Sequence, residues 1–296
     1  MAVSPATRRL LVRTMRACTA SRLPYNIKAR YISTLTGVLG APTVPTESDY
    51  GTRFLPGTKL NSLLEYRGVH EPVLSEFIRR HVLPGDVCVD AGANVGYFSV
   101  LLAKQVGPNG KVIAVEAAPQ TVERLRANVS LNNVEVTVIE SAVTSSKGEV
   151  TFHLHPQHDS WNRITPPDED DPDRAVMGGD WVPITVKADT LSAIVGADKD
   201  LVSFIKLDIE GAEPAVTPDI ATFPNPGLVV ALEAKSPNIT ATLKPFADGG
   251  FYVYDLHNDW RWLYERAVPA ITQANYADFA GRSMVDVLVS RRRLDV

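Results

Sequence analysis

The chain has 296 residues, a formal net charge of −4, 45% hydrophobic residues and 22% charged residues. That composition supports a large core and excludes disorder, a collagen-like repeat and, with only two cysteines, a disulfide scaffold. Cys18 and Cys88 stand far apart with no CxxC spacing, so both read as reduced thiols of a cytoplasmic protein, and no apolar run is long enough to span a membrane.

The first 46 residues carry Arg8, Arg9, Arg13, Arg16, Arg22, Lys28 and Arg30 and no acid, so the acidic excess lies wholly behind them. Such a start reads in three ways: an organelle transit peptide, a basic amphipathic helix making peripheral contact with a membrane or an anionic partner, or a solvated helix at the domain edge. A secretory signal fits poorly, because Arg13 interrupts the short stretch Leu10-Leu11-Val12. Residues 1–65 are expected to form a basic extension and 66–296 the main domain.

Periodic structure begins after a loop rich in Pro, Thr and Gly. Val73, Leu74, Phe77 and Ile78 fall on one face of a helix over 71–81, which Pro84-Gly85 ends. Asp86-Val-Cys-Val-Asp90 is a buried strand closed by a glycine turn, and 95–106 is a helix. The unit then repeats, with a strand over 111–116, a helix over 119–131 and a strand over 134–140. Two strands of period two, over 149–155 and 181–187, flank a long acidic, proline-rich loop and form an excursion spanning 147–188. Alternation resumes with strands over 201–208, 228–234, 251–254 and 285–290 and helices from about Ala212 and over 239–247. Continuous apolar strands alternating with helices predict an α/β fold with a mainly parallel sheet covered on both faces.

Strand ends of such sheets form the crevice in which cofactors bind. Asp90-Ala-Gly-Ala-Asn-Val-Gly96 has only two of the three glycines of a dinucleotide fingerprint, and Asp90 stands where a phosphate would be repelled. Twenty residues on, Glu116 ends the next strand, where a carboxylate can accept from a ribose diol. A nucleoside with an amino acid tail and no phosphate satisfies these observations, and S-adenosylmethionine is that molecule.

The run Leu83-Pro-Gly-Asp-Val-Cys-Val-Asp-Ala-Gly-Ala-Asn-Val-Gly-Tyr-Phe-Ser99, then Phe204-Ile-Lys-Leu-Asp-Ile-Glu-Gly-Ala-Glu213 and Val229-Val-Ala-Leu-Glu233, resembles the FkbM-type S-adenosylmethionine-dependent methyltransferases. The resemblance spans roughly residues 66 to 255. It implies a class I methyltransferase fold with a seven-stranded sheet, cofactor binding around Asp90–Gly96 and Glu116, and O-methylation of a sugar, glycolipid or natural-product hydroxyl. To the cofactor site we assign Glu71, Asp90, Gly92, Asn94, Gly96, Tyr97, Glu116, Ala117, Ser141, Ala142 and Asp208.

Methyl transfer from a sulfonium is an in-line displacement, so the acceptor oxygen must be held about 3–3.5 Å from the methyl carbon and must lose its proton. Asp208 is the first candidate base, with Glu210, Lys206 and His153 as further catalytic candidates. Glu210 and Glu213 can instead cap the following helix. His155, Trp161, Asn162, Arg163 and Glu233 are assigned to the acceptor, since tryptophan with amide and guanidinium neighbours suits a sugar or polyol; Trp161 can equally be a core plug. The His153, His155 and His158 group allows a divalent metal, which is not expected. A nicotinamide-dependent oxidoreductase and a silent methyltransferase-like binding module are the alternatives. The first wants a third glycine, and the second predicts loss of Asp90 or Glu116. The acidic main domain argues against nucleic acid as acceptor; a homo-oligomer is left open.

Overall fold

The computed structural model of the chain describes residues 3–155, 161–165, 181–258, 260–266 and 268–296. The basic start folds as a helical hairpin, α1 (Pro5–Ala20) and α2 (Tyr25–Leu39). The Ser4 hydroxyl accepts from the Thr7 amide and Pro5 sits in the first turn, which starts α1. Two short antiparallel strands, β1 (Thr46–Glu47) and β2 (Arg53–Phe54), and helix α3 (Lys59–Arg67) follow.

Met15, Ile32, Leu39 and Tyr66 close a small core between the hairpin and α3. Arg8 locks the seam by donating to Glu65 at 2.6 Å and to the carbonyls of Leu39 and Gly40. The hairpin is therefore packed on the domain, and α3 runs across position 65.

The next elements are α4 (Pro72–His81), β3 (Val87–Ala91), α5 (Tyr97–Val106), β4 (Lys111–Glu116), α6 (Pro119–Leu131) and β5 (Thr137–Glu140). The excursion comprises β6 (Ala142–Val143), β7 (Gly148–Leu154) and β8 (Val182–Asp189). It forms its own three-stranded sheet, with β7 and β8 antiparallel and Val150 opposite Val186. After α7 (Leu191–Val195) come β9 (Val202–Leu207), α8 (Glu213–Ile220), β10 (Val229–Lys235), α9 (Ile239–Asp248), β11 (Tyr252–Asp255), β12 (Thr272–Ala274) and β13 (Met284–Ser290).

The main sheet has the order β12-β11-β13-β10-β9-β3-β4-β5. From β5 to β10 all pairs are parallel, and β13 inserts antiparallel between β10 and β11. This is the class I methyltransferase architecture, with one departure from the seven strands expected: the three-residue β12 adds an eighth strand at the edge, paired antiparallel with β11.

Side chains of successive strand residues face opposite sides. Val89, Ala91, Ile205, Leu207, Val230 and Leu232 meet Leu191, Val216, Ile220, Leu243 and Phe246, so α7, α8 and α9 cover one face. Cys88, Val112, Phe204, Val229, Ala231 and Leu288 meet Phe77, Ile78, Phe98 and Leu102, so α4 and α5 cover the other. Asp90, Lys206, Glu233 and Asp286 share the parity of this second set, so charged groups from four adjacent strands emerge together on the α4/α5 side.

Candidate active site

The glycine turn and the second signature meet at a backbone junction. The Asp208 amide donates to the Ala91 carbonyl at 3.0 Å. Gly92, at φ +77°, lies so close that a Cβ there would stand 1.7 Å from the Asp208 carbonyl oxygen. Gly92 is thus required by close approach as well as by its backbone conformation. Gly96, at φ +88°, is needed for its backbone conformation, and a Cβ there would stand 2.3 Å from Leu125 Cδ1 and require that side chain to shift.

Lys206 ties the junction together. Its Nζ lies 3.1 Å from Asp208 Oδ2, 3.9 Å from Asp90 Oδ1 and 3.4 Å from the Gly92 carbonyl. Burial works against its charge, but Asp208 and Asp90 outweigh it and hold the ammonium above its ordinary range. That removes Lys206 as a proton acceptor, a correction to its place among the candidate bases; it positions the two aspartates instead. Burial opposes the charge of Asp208 too, yet Lys206 and Lys235 hold this carboxylate below the usual range, which makes it a weak base.

Asp90 is fully buried, and burial pushes its carboxyl up despite Lys206. Its Oδ2 accepts from the Ser99 hydroxyl at 2.6 Å, while Oδ1 has no hydrogen-bond partner among the described residues. At the end of β4, Glu116 Oε1 accepts from the amides of Ala117 and Ala118, and Oε2 from that of Asn94 at 2.9 Å. This fixes the rotamer and leaves Oε2 capacity for one more donor. Asn94 itself is held at φ +48°. Ser141 and Ala142 are buried beside this strand end, with the Ser141 amide on the Glu116 carbonyl. The Tyr97 hydroxyl accepts from the His70 amide, and Glu71, at φ +42°, precedes α4 with an oxygen 3.2 Å from His70 Nε2.

Beyond the aspartates lies a wall of carboxylates. Glu210 adopts φ +54°, a conformation uncommon outside glycine and concentrated at functional sites. Its Oε2 receives both Arg163 Nη2 at 2.9 Å and Lys235 Nζ at 3.2 Å, and Lys235 reaches on to Glu233 Oε1 at 2.6 Å. Glu233 stands directly across the antiparallel ladder from Asp286. Burial raises Glu210 to about 7, with Asp208 adding to the effect, and burial raises Glu233 to about 7 against the pull of Lys235. Asp286 is pushed up by burial, then by Glu233, Glu71 and Asp208.

The remaining candidates separate into those that join this wall and those that do not. Arg163 joins it and is buried. Asn162 instead accepts from the His155 amide at 2.8 Å, and the buried His155 ring stands edge-on to Trp161 and Trp181, each 5.0 Å away. His153 directs Nδ1 to the Ile164 carbonyl at 2.9 Å, and among the described residues none of its hydrogen bonds reaches the carboxylates. Glu213 braces the turn before the helix it begins: its two oxygens accept from the amides of Ile209 and Gly211, and its own amide, the first of the helix, also favours the carboxylate. His158 and the acidic segment 166–173 lie outside the described residues. Among the described residues no group of three or more His, Cys, Asp or Glu side chains is placed to hold a metal ion.

His70, Lys235, Trp262 and Asp286 belong to the site without having been legible in the sequence. The His70 ring lies 5.2, 5.8 and 5.5 Å from Tyr97, Phe98 and Trp262, forming an aromatic wall beside Glu71. Lys235 had a readable signal, since it follows Glu233 by two positions on a strand and so shares its face.

The residues present fit S-adenosylmethionine. Glu116 is oriented for a ribose hydroxyl, the turn around Gly92 and Gly96 brings backbone close, and Asp90 Oδ1, which accepts no hydrogen bond among the described residues, favours a cationic amino acid tail over a phosphate.

Comparison with known proteins identifies the family. The Methyltransferase FkbM domain family matches residues 90–241, about half of the chain, and the chain belongs to that family. A protein-L-isoaspartate O-methyltransferase of Aeropyrum pernix is 38% identical over 81 residues, 27% of this chain and 29% of that protein. Methyltransferase 1 of Beauveria bassiana is 27% identical over 137 residues, 42% of this chain and 54% of that protein. The chain thus spans about half or less of the length of these relatives. An S-adenosylmethionine-dependent O-methyltransferase structure from Thermotoga maritima covers 88% of this chain and 83% of its own, at 16% identity and a TM-score of 0.44.

Proposed function

We propose that this protein transfers the methyl group of S-adenosylmethionine to a hydroxyl of a sugar, glycolipid or other polyhydroxylated acceptor. The observation that carries the reading is the carboxylate wall: Glu210, Glu233 and Asp286 stand beside the Lys206-clamped aspartates, and the first two titrate near neutrality. When bound, S-adenosylmethionine supplies an electrophilic methyl on a sulfonium. Everything else is done by the chain.

Glu116 orients the nucleoside part and Asp90 the amino acid tail. Glu233 is the group we assign to accept the hydroxyl proton. Lys235 engages its Oε1, its second oxygen has no partner among the described residues, and a pKa of about 7 matches the task near neutral pH. Asp208, better ionised and partly exposed, orients the acceptor hydroxyl and offsets the sulfonium charge. Glu210 receives both Arg163 and Lys235, so its role is to hold the excursion against the site. Asp286 and the aromatic wall of His70 and Trp262 suit a polyol, whose hydroxyls donate to carboxylates while its C–H faces lie on rings.

The test is calorimetric titration with S-adenosylmethionine, followed by transfer of a labelled methyl group into lipid and glycan extracts. Heat of binding, with label in an alkali-stable ether, supports the reading. Binding of NAD in place of S-adenosylmethionine, or label recovered only as a methyl ester or on nitrogen, would sink it.

A further inference from the structure

The hairpin α1–α2 carries chemistry that methyl transfer does not use. Arg8 is tied to Glu65, and Arg16 donates to the Glu65 carbonyl with Asp49 3.9 Å away. Arg9, Arg13, Arg22 and Arg30 are exposed and have no carboxylate partner among the described residues. Among them Leu10, Leu23, Ile27, Tyr31 and Val38 are between 39% and 62% exposed. Helical spacing puts Ile27, Arg30, Tyr31 and Val38 on one side of α2, and Leu10 and Arg13 on one side of α1. The Tyr31 hydroxyl, 2.9 Å from that of Thr14, joins the two sides into one surface.

This surface adjoins a cleft of about 350 Å³ at the hairpin turn, lined by Thr19, Ser21, Arg22, Lys28, Glu265 and Arg266 among others. Three cations face one carboxylate there. Lys28 is only 5% exposed, and its Nζ has just the Thr19 carbonyl, 3.4 Å away. Arg67, 4% exposed and within electrostatic reach of Arg266 and Asp49, leaves Nε and Nη1 without hydrogen-bond partners among the described residues. Buried cations held this poorly by their own chain are costly unless an anion completes them.

We propose that the cleft takes the phosphate of an anionic membrane phospholipid while the exposed apolar side chains of the hairpin lie in the headgroup boundary. A soluble phosphate would account for the cleft alone. Apolar side chains interleaved with unpaired arginines, on a segment free of acids through residue 46, are what an anionic bilayer surface selects. No helix among the described residues is long and apolar enough to cross a membrane, so the contact is adsorption.

The full chain is sedimented with vesicles of phosphatidylglycerol and phosphatidylcholine, and with phosphatidylcholine alone. Binding to the anionic vesicles only, weakening as NaCl is raised, is expected. The double variant Arg22→Ala/Arg266→Ala should bind on the order of twenty-fivefold more weakly, at about fivefold for each arginine. Leu10→Ser/Ile27→Ser/Val38→Ser should lose vesicle binding with an unchanged melting temperature. Equal binding to both vesicle types, or binding indifferent to both multiple variants, overturns the proposal. So does inorganic phosphate raising the melting temperature through Arg22 and Arg266 without vesicle binding, which assigns the cleft to a soluble anion. A dimer dissolved by the triple serine variant assigns the apolar face to a second copy and likewise overturns it. Lys28→Met is an added probe, and if it unfolds the double arginine variant carries the test.

Discussion

Arg163 Nη2 lies 2.9 Å from Glu210 Oε2, joining a residue of the β-strand excursion to the turn that follows β9, 47 positions later. The guanidinium and the carboxylate are 10% and 19% exposed, so the pair is largely shielded from solvent. Among the described residues it is a direct side-chain tie between the segment assigned to acceptor recognition and the carboxylate wall. Replacing Arg163 with Met should cost about 2 kcal/mol, since a charge-assisted hydrogen bond is lost while Lys235 still partners Glu210. Acceptor KM should rise with affinity for S-adenosylmethionine unchanged. Calorimetry beside steady-state kinetics checks this, and an equal loss of cofactor affinity would place Arg163 elsewhere in the mechanism.

Gly92→Ala should abolish cofactor binding and lower the melting temperature, because the new methyl group would stand 1.7 Å from the Asp208 carbonyl at φ +77°. Gly211→Ala is the control. It sits at φ +98° with nothing within 4 Å of its would-be Cβ, so it bears only the backbone penalty, about 1–2 kcal/mol. Thermal melts of both variants test the contrast.

Glu210, Glu213 and Glu233 each rise from an ordinary 4.5 to about 7, in every case with burial as the leading cause. A carboxyl with a raised folded-state pKa binds more protons folded than unfolded, so its stabilising contribution is full below 4.5 and is lost as pH rises through about 7. Denaturant melts across that window should show stability falling as pH rises, and Glu233→Gln should flatten the slope. Turnover should run the other way, rising with pH as the carboxylate that accepts the proton forms. If Glu233→Gln keeps full turnover and the same pH profile, Glu233 is not the base.

Lys206→Met should destabilise by about 3–5 kcal/mol, because two carboxylates at the junction lose their shared cation. Adding Asp90→Asn should restore part of the stability but not cofactor affinity. A double-mutant cycle by chemical denaturation measures the coupling, and additive losses would show that the clamp is not a unit.

The glycine turn, Glu116 and the Lys206–Asp208 string were legible because each is a short contiguous motif tied to one strand end, and local spacing carries that information. His153 shows what spacing leaves out: period two set it on a strand face, and only the packing shows that its Nδ1 meets the Ile164 carbonyl. The two readings of Trp161 converge, since it packs against His155 and also carries Lys59 Nζ 5.2 Å from its ring centre. Lys206 and Asp208 show the same limit from another side. Their positions could be read from the chain, but that both stay charged against burial depends on each other, on Asp90 of β3 and on Lys235 of β10.

By itself the sequence determined the alternation of strands and helices, the cofactor turn and the family, since these rest on periodicity and on residues within a few positions of one another. Tertiary structure alone decided how the carboxylate wall is assembled. Only the antiparallel insertion of β13 between β10 and β11 sets Asp286 opposite Glu233, and only the packing of α4 against the sheet brings His70 and Glu71 over them. Strand pairing between residues 53 positions apart is a matter of ladder hydrogen bonds and shared burial, which no local pattern encodes.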